Sequence, residues 1–168
     1  DITDVFEGSE FKAFAGKHVR ALPVPDVSAQ PRKFFDQLGD YAVAQGAKGL
    51  AWVRVGEDGK LSGPIAKFLT EENVAELTKR LSLAAGPAVF FGAGEFDEVS
   101  KIMGAVRVEA AKRAGQFEEN VFRFCWIVDF PMYEKDEETG AIDFSHNPFS
   151  MPQGGLEALE TQDPLDIL

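Results

Sequence analysis

The sequence lacks several things, and each lack excludes something. It holds one cysteine, Cys125, so neither an internal disulfide framework nor a multi-cysteine zinc site can form. Its two histidines, His18 and His146, lie far apart, which argues against a histidine-based metal site. No run of 18 apolar residues occurs, so no membrane-spanning helix is expected. The opening residues, DITDVFEG, have neither the basic nor the apolar region of a signal peptide. The first residue is Asp rather than Met, and an excised or incomplete chain is expected. The G-x-S-x-G nucleophile motif is missing too. Basic residues run out towards the end: residues 133–168 carry nine acids and one base, Lys135. That stretch holds most of the formal net charge of −11. Phosphate binding needs Lys and Arg to displace counterions, so so acidic a chain is a poor stand-alone binder of nucleic acid.

What the chain does have is apolar bulk. At 168 residues, 45% of them apolar and 15 of them Phe, it can build the core of one domain, or of one domain plus part of another. Phe6, Phe11 and Phe14 suggest a short helix or irregular turn with buried rings. Residues 17–24 (KHVRALPV) read as a strand. Pro31 suits a first helical position, and apolar residues at 34, 35, 38, 41 and 42 predict an amphipathic helix over 32–45, stopped by Gly46. Residues 50–55 read as a strand, followed by the turn Glu57-Asp58-Gly59, with a short second strand expected within 61–66. Thr70 is a plausible N-cap for a helix carrying Val74, Leu77 and Leu81, although Asn73 is not the Glu or Gln of a capping box. A short buried strand over 88–91 precedes a long helix with Val99, Ile102, Met103, Val106 and Ala110 on one face. This pattern implies an α+β two-layer sandwich without fixing strand direction. A boundary is expected within 114–120.

The last third is different. Residues 124–130 (FCWIVDF) form an apolar run of strand length closed by Pro131, and predict a buried strand with Cys125 inside it. A charged turn over 135–140 and a second strand over 141–144 would make a hairpin ending at Ser145-His146-Asn147-Pro148-Phe149. The tail 154–168 is polar and interrupted by Pro164, and its last residues are expected to be poorly held.

WIVDFPMYE (126–134) followed by HNPFSMP (146–152) resembles the catalytic core of bacterial-type class II aspartyl-tRNA synthetases. GAKGLAW (46–52), AKFL (66–69) and FFGAG (90–94) resemble the GAD-type domain inserted into those enzymes and shared with some tRNA-dependent amidotransferase subunits. The resemblance implies an inserted α+β domain over 1–118, with a mainly antiparallel sheet and helices on one face. It implies a segment of the catalytic core over 119–168, including the hairpin. The parent would be a cytoplasmic aspartate–tRNA ligase that activates aspartate with ATP and Mg²⁺ and transfers it to tRNA. Its partners would be tRNA, aspartate and ATP, with no membrane or DNA, and it would be a homodimer. The fragment is expected to be a monomer with no ATP or Mg²⁺ bound. It would contain no catalytic residue and no metal ligand, because the family's arginine- and glycine-bearing motifs lie outside it. His146 takes the place of a histidine that binds the substrate aspartate. Asn147 is its pocket neighbour, where many relatives have a second histidine. The other reading is a non-enzymatic α+β interaction module, like the related domain of the amidotransferase subunits, and it accounts for residues 1–118 equally well.

Other residues invite readings of their own. Asp129, Glu134 and Asp143 could form a carboxylate set, but Asp129 is better read as a structural hydrogen-bond acceptor and 134–138 as a solvated turn. Gly92-Ala93-Gly94 could cradle a phosphate, yet Glu95, Asp97 and Glu98 would repel one, and a tight strand–helix turn is the better reading. The third possibility for the chain, a small-ligand binding domain, would use that turn. Arg20, Lys48, Arg54 and Lys67 could form a basic patch if their strands share a face, with ordinary charged surface as the alternative. His18 reads as a surface residue.

Overall fold

The computed structural model describes every residue except Gly8, Glu10, Glu137, His146, Asn147, Pro148 and Ser150. The chain divides into two compact units, Asp1–Glu119 and Asn120–Leu168.

The first unit is α+β, as expected. A four-stranded sheet is ordered β1-β4-β2-β3, from β1 (His18–Val24), β2 (Ala51–Val55), β3 (Leu61–Ser62) and β4 (Ala88–Gly94). Every described pairing is antiparallel: β1 runs beside β4 from His18 opposite Gly94 to Val24 opposite Ala88, and β2 pairs with β4 from Ala51 opposite Phe91 to Arg54 opposite Ala88. Helices α1 (Arg32–Ala44) and α3 (Phe96–Arg113) cover one face. There Phe34, Phe35 and Leu38 meet Phe90, Val99 and Met103. The other face is covered as well. The N-terminal turn Thr3–Phe6, Phe14 and Leu77 of α2 (Glu71–Arg80) pack on Val19, Val53, Val89 and Phe91. Side chains alternate across a strand, so β4 alone feeds both clusters.

Local chemistry explains the element ends. Pro31 sits just outside α1, in the extended conformation at the N-cap, and the helix begins at Arg32. Thr70 and Asn73 form a reciprocal capping box: the Asn73 N–H donates to Thr70 Oγ1 at 3.1 Å, and the Thr70 N–H donates to Asn73 Oδ1 at 3.0 Å. An asparagine therefore does what Glu or Gln usually does. Its Nδ2 also donates to the Val5 carbonyl, tying α2 to the N-terminal turn. The second strand expected within 61–66 is two residues long, and Ala66–Phe68 is a 3-10 turn.

The second unit departs from expectation. Residues 121–130 form no strand, and they are exposed: Phe124 is 96% and Trp126 94% accessible, and Cys125 is exposed rather than buried. A run written for burial on two faces needs neighbours on both, and no described strand pairs with it. The hairpin is instead β5 (Tyr133–Lys135) with β6 (Ile142–Phe144), paired Tyr133 to Phe144. The tail is held, contrary to expectation. It forms α4 (Gly155–Thr161) and a 3-10 turn over Pro164–Asp166, capped by Asp163. Ile167, 2% accessible, accepts a backbone hydrogen bond from Met132 at 2.9 Å.

Two outcomes follow from this packing. A Cβ on Gly92 would sit 2.6 Å from Met103 Sδ and 3.2 Å from Val99 Cγ2, because α3 lies directly on the strand there. Gly92→Ala should therefore lower the unfolding free energy by about 1–3 kcal/mol through overpacking, read by urea denaturation. Unchanged stability would mean that Met103 moves aside freely. Arg80 bridges Asp4 and Glu76, and its hydrogen bonds hold both carboxyls below their ordinary values. A carboxyl with a lowered folded value adds stability above its ordinary value and loses it as pH falls through the lowered one. Arg80→Ala should thus destabilise the chain at neutral pH, with the difference from the parent shrinking as pH falls below about 4. A difference constant from neutral to strongly acid pH would contradict this.

Candidate functional site

The sequence directs attention to the loop after β6. His146 and Asn147 lie outside the described residues, and the residues that flank this loop are anchored. Before it, Ser145 is held twice by the chain preceding β5. Its N–H donates to the Met132 carbonyl at 3.0 Å and its Oγ donates to the Pro131 carbonyl. After it, Gln153 donates through Nε2 to Asp129 Oδ1 at 3.0 Å, and its backbone N–H donates to the Leu168 carbonyl. Both ends of the stretch 146–152 are therefore tied to the chain around 129–132 or to the C-terminus. Tyr133 and Phe144 stack across the hairpin, with ring centroids 4.9 Å apart.

Asp129 is an acceptor, as expected, although the donor is the Gln153 side-chain amide rather than the backbone or an Arg. Its setting differs, because it is exposed and its φ is +55°, a left-handed conformation that aspartate tolerates better than most residues. Glu134 and Asp143 are cross-strand neighbours on the hairpin, a like-charge pair. Among the described residues no group of three or more His, Cys, Asp or Glu could hold a metal ion. Asp136 closes the hairpin turn by accepting from the Glu138 and Thr139 backbone N–H groups and the Thr139 hydroxyl. Its carboxyl is held below the usual range, chiefly by the bond from the Thr139 side chain.

In the first unit the four candidate cations do not merge into a patch. Arg20 and Arg54 do share a sheet face, but β4 separates them, and they lie four register positions apart, opposite Gly92 and Ala88. Three of the four, Arg20, Arg54 and Lys67, stand on rings instead. Arg20 Cζ lies 4.8 Å from the Phe96 centroid, Arg54 Cζ 4.5 Å from Phe35 and 5.3 Å from Trp52, and Lys67 Nζ 5.0 Å from Phe68. The Nε atoms of Arg20 and Arg54 are buried without a hydrogen-bond partner, so the aromatic faces are what stabilise those guanidinium groups. His18 meets Phe96 edge-on at 5.4 Å. Phe96, at the start of α3 and half exposed, is the residue that sequence reasoning missed. Its only sequence signal was an aromatic following Gly94-Glu95. Gly92 and Gly94 extend β4 rather than forming a loop, and neither has a positive φ.

Comparison with known proteins adds the following. Residues 10–103 match the model of the GAD domain. The chain is 94% identical over 168 residues to aspartate–tRNA ligase of Streptomyces coelicolor, covering 100% of this chain and 29% of that protein. It is 53% identical over 172 residues to aspartate–tRNA(Asp/Asn) ligase of Gluconobacter oxydans, covering 99% of this chain and 29% of the relative. With the corresponding Rickettsia bellii protein it shares 47% identity over 165 residues, 95% of this chain and 27% of that one. The chain thus spans less than a third of the length of these curated relatives.

The ring-mounted arginines yield a test. Arg54→Ala removes both the cation and the stem lying on Phe35 and Trp52, and should lower the unfolding free energy by about 1–2 kcal/mol in urea denaturation. Arg54→Lys should recover part of that loss. No loss in either variant would show that the contact contributes nothing to stability.

Proposed function

Because this chain belongs to the GAD domain family, we propose that it is the accessory domain and an adjoining piece of catalytic core of an aspartate–tRNA ligase. The parent activates aspartate with ATP and Mg²⁺ and transfers the aspartyl group to tRNA. It works in the cytoplasm as a homodimer, with tRNA, aspartate and ATP as its partners. Residues 1–118 are the accessory GAD domain, and 119–168 belong to the catalytic core. The observation that carries this reading is the 94% identity that runs through all 168 residues, the stretch beyond the GAD match included. A free-standing interaction module would account for residues 1–118 but not for the match that continues through 119–168. None of the helices among the described residues is long and apolar enough to cross a membrane.

The residues of this chain do not fit ATP and Mg²⁺ by themselves. Residues 120–168 hold Arg123 and Lys135 as their only Lys or Arg, against many carboxylates. No step through the nucleotide is assigned to them.

His146 is the residue we assign to aspartate. An imidazole can donate to a carboxylate or, as a cation, pair with one, and the substrate carries two carboxylates. The fixed positions of Ser145 and Gln153 favour a loop with defined ends. Asn147 would stand beside His146 and can donate an amide hydrogen in place of a second imidazole.

Aspartate-dependent pyrophosphate exchange tests the assignment in the Streptomyces coelicolor relative, where the residue corresponding to His146 is replaced by alanine. A hydrogen bond to a charged group contributes about 1.5–3 kcal/mol, so kcat/KM for aspartate should fall roughly tenfold to a hundredfold, with KM for ATP little changed. The 168-residue chain alone should show no exchange. An unaltered kcat/KM for aspartate would remove His146 from the pocket, and exchange by the isolated chain would overturn the reading of it as incomplete.

A further inference from the structure

The sheet of the first unit is open at one place. β4 continues to Gly94 beside β1, but its pairing with β2 stops where Ala51 meets Phe91. In an antiparallel ladder, alternate residues turn both N–H and C=O to the same side. Val19 fixes that alternation. Its N–H donates to Thr3 Oγ1 and its carbonyl accepts from Ile2, both on the outer edge of β1. Its partner Ala93 therefore turns its N–H and C=O away from β1, towards the segment 46–50 that precedes β2. No described hydrogen bond takes either group.

A cleft lies there. On the helix side it is narrow, about 90 Å³, between 46–50 and 92–95, with Glu95 and Glu98 at its mouth. A Cβ on Gly94 would stand 3.4 Å from Glu98 Oε2, so the glycine lets that carboxylate lie close to the strand. A second cavity, of about 310 Å³, lies on the opposite face against Phe11, Phe14, Ile65 and Phe91. Lys17, Lys48 and Ala93 line both. Among the described residues, Lys17, Lys48, Glu95 and Glu98 have no ion-pair partner.

We propose that this cleft binds a free α-amino acid with an apolar side chain. The ligand's main-chain atoms supply the rung that β2 leaves out opposite Ala93. Its ammonium donates to the Ala93 carbonyl, on the side that leads to Glu95 and Glu98. Its carboxylate accepts from the Ala93 N–H and is balanced by Lys17 and Lys48. Its side chain enters the hollow lined by the phenylalanines and Ile65. A nucleotide is too large for the narrow part, and the two glutamates oppose a phosphate. Burial of the apolar side chain and the charge-assisted bonds supply the affinity. The inference stands apart from the aspartate pocket around His146, on different residues, and does not rest on it.

The test is a titration of the isotope-labelled 168-residue chain with L-leucine, followed at the amides of Gly49, Ala93 and Gly94. Saturable shifts at these amides are expected, with a Kd of about 1 mM or tighter. Leucinamide, N-acetylleucine and L-aspartate should each bind at least about fivefold more weakly, since each lacks one of the three matched groups. Lys48→Ala and Glu98→Gln, both at exposed positions, should weaken leucine by a similar factor without altering the rest of the spectrum. Any of three results would overturn the proposal: no saturable shift with leucine, equal binding of leucinamide or aspartate, or displacement of leucine by inorganic phosphate alone.

Discussion

Ala88, Val89, Phe90 and Phe91 of β4 are all removed from water, with alternate side chains turned to opposite faces of the sheet. Each fully buried phenylalanine contributes roughly 1.5–3 kcal/mol relative to leaving it exposed, so both faces must be covered at once. α1 and α3 cover one face, and the N-terminal turn, Phe14 and α2 the other. β1 and β2 satisfy the strand's hydrogen bonds along most of its length. The tight contact of α3 at Gly92 and the opening beside Ala93 are both consequences of where this one strand runs.

Residues 124–130 pose the same demand and meet a different answer. FCWIVDF is largely apolar too, yet it lies exposed and in no described strand. The difference is in the partners. β4 has strands on both sides within its own unit, while no described strand lies beside 124–130. On our reading the neighbours that would cover it belong to a longer protein. The short core of the second unit, built from Met132, Ala158 and Ile167, holds the hairpin but cannot cover a seven-residue apolar strand.

Much of the first unit was legible in the sequence, because its signals are local. Val99, Ile102, Met103, Val106 and Ala110 recur at helical spacing, and all five are buried on α3. Thr70 announced the start of α2, although the part played by Asn73 depended on an amide geometry that residue type alone does not settle. Long-range facts were not legible. Arg20 reaches Phe96 from 76 positions away in the chain, and the Ile167 carbonyl accepts from Met132 across 35 residues, so neither leaves a pattern within a local window. The run 124–130 failed for a further reason: hydrophobic periodicity reports what a segment is suited to, not whether its partners are present. His146 and Asn147 rest on the family resemblance, and the described residues fix only the ends of their loop.

The claim at the centre of this account is that 122–130 is a catalytic-core strand lacking its neighbours. Amide hydrogen exchange tests it most directly, comparing this segment in the 168-residue chain with the corresponding segment of the Streptomyces coelicolor relative. The account predicts rapid exchange in the chain, as in exposed backbone outside any strand ladder, and strong protection in the relative. Equally rapid exchange in both proteins would contradict it.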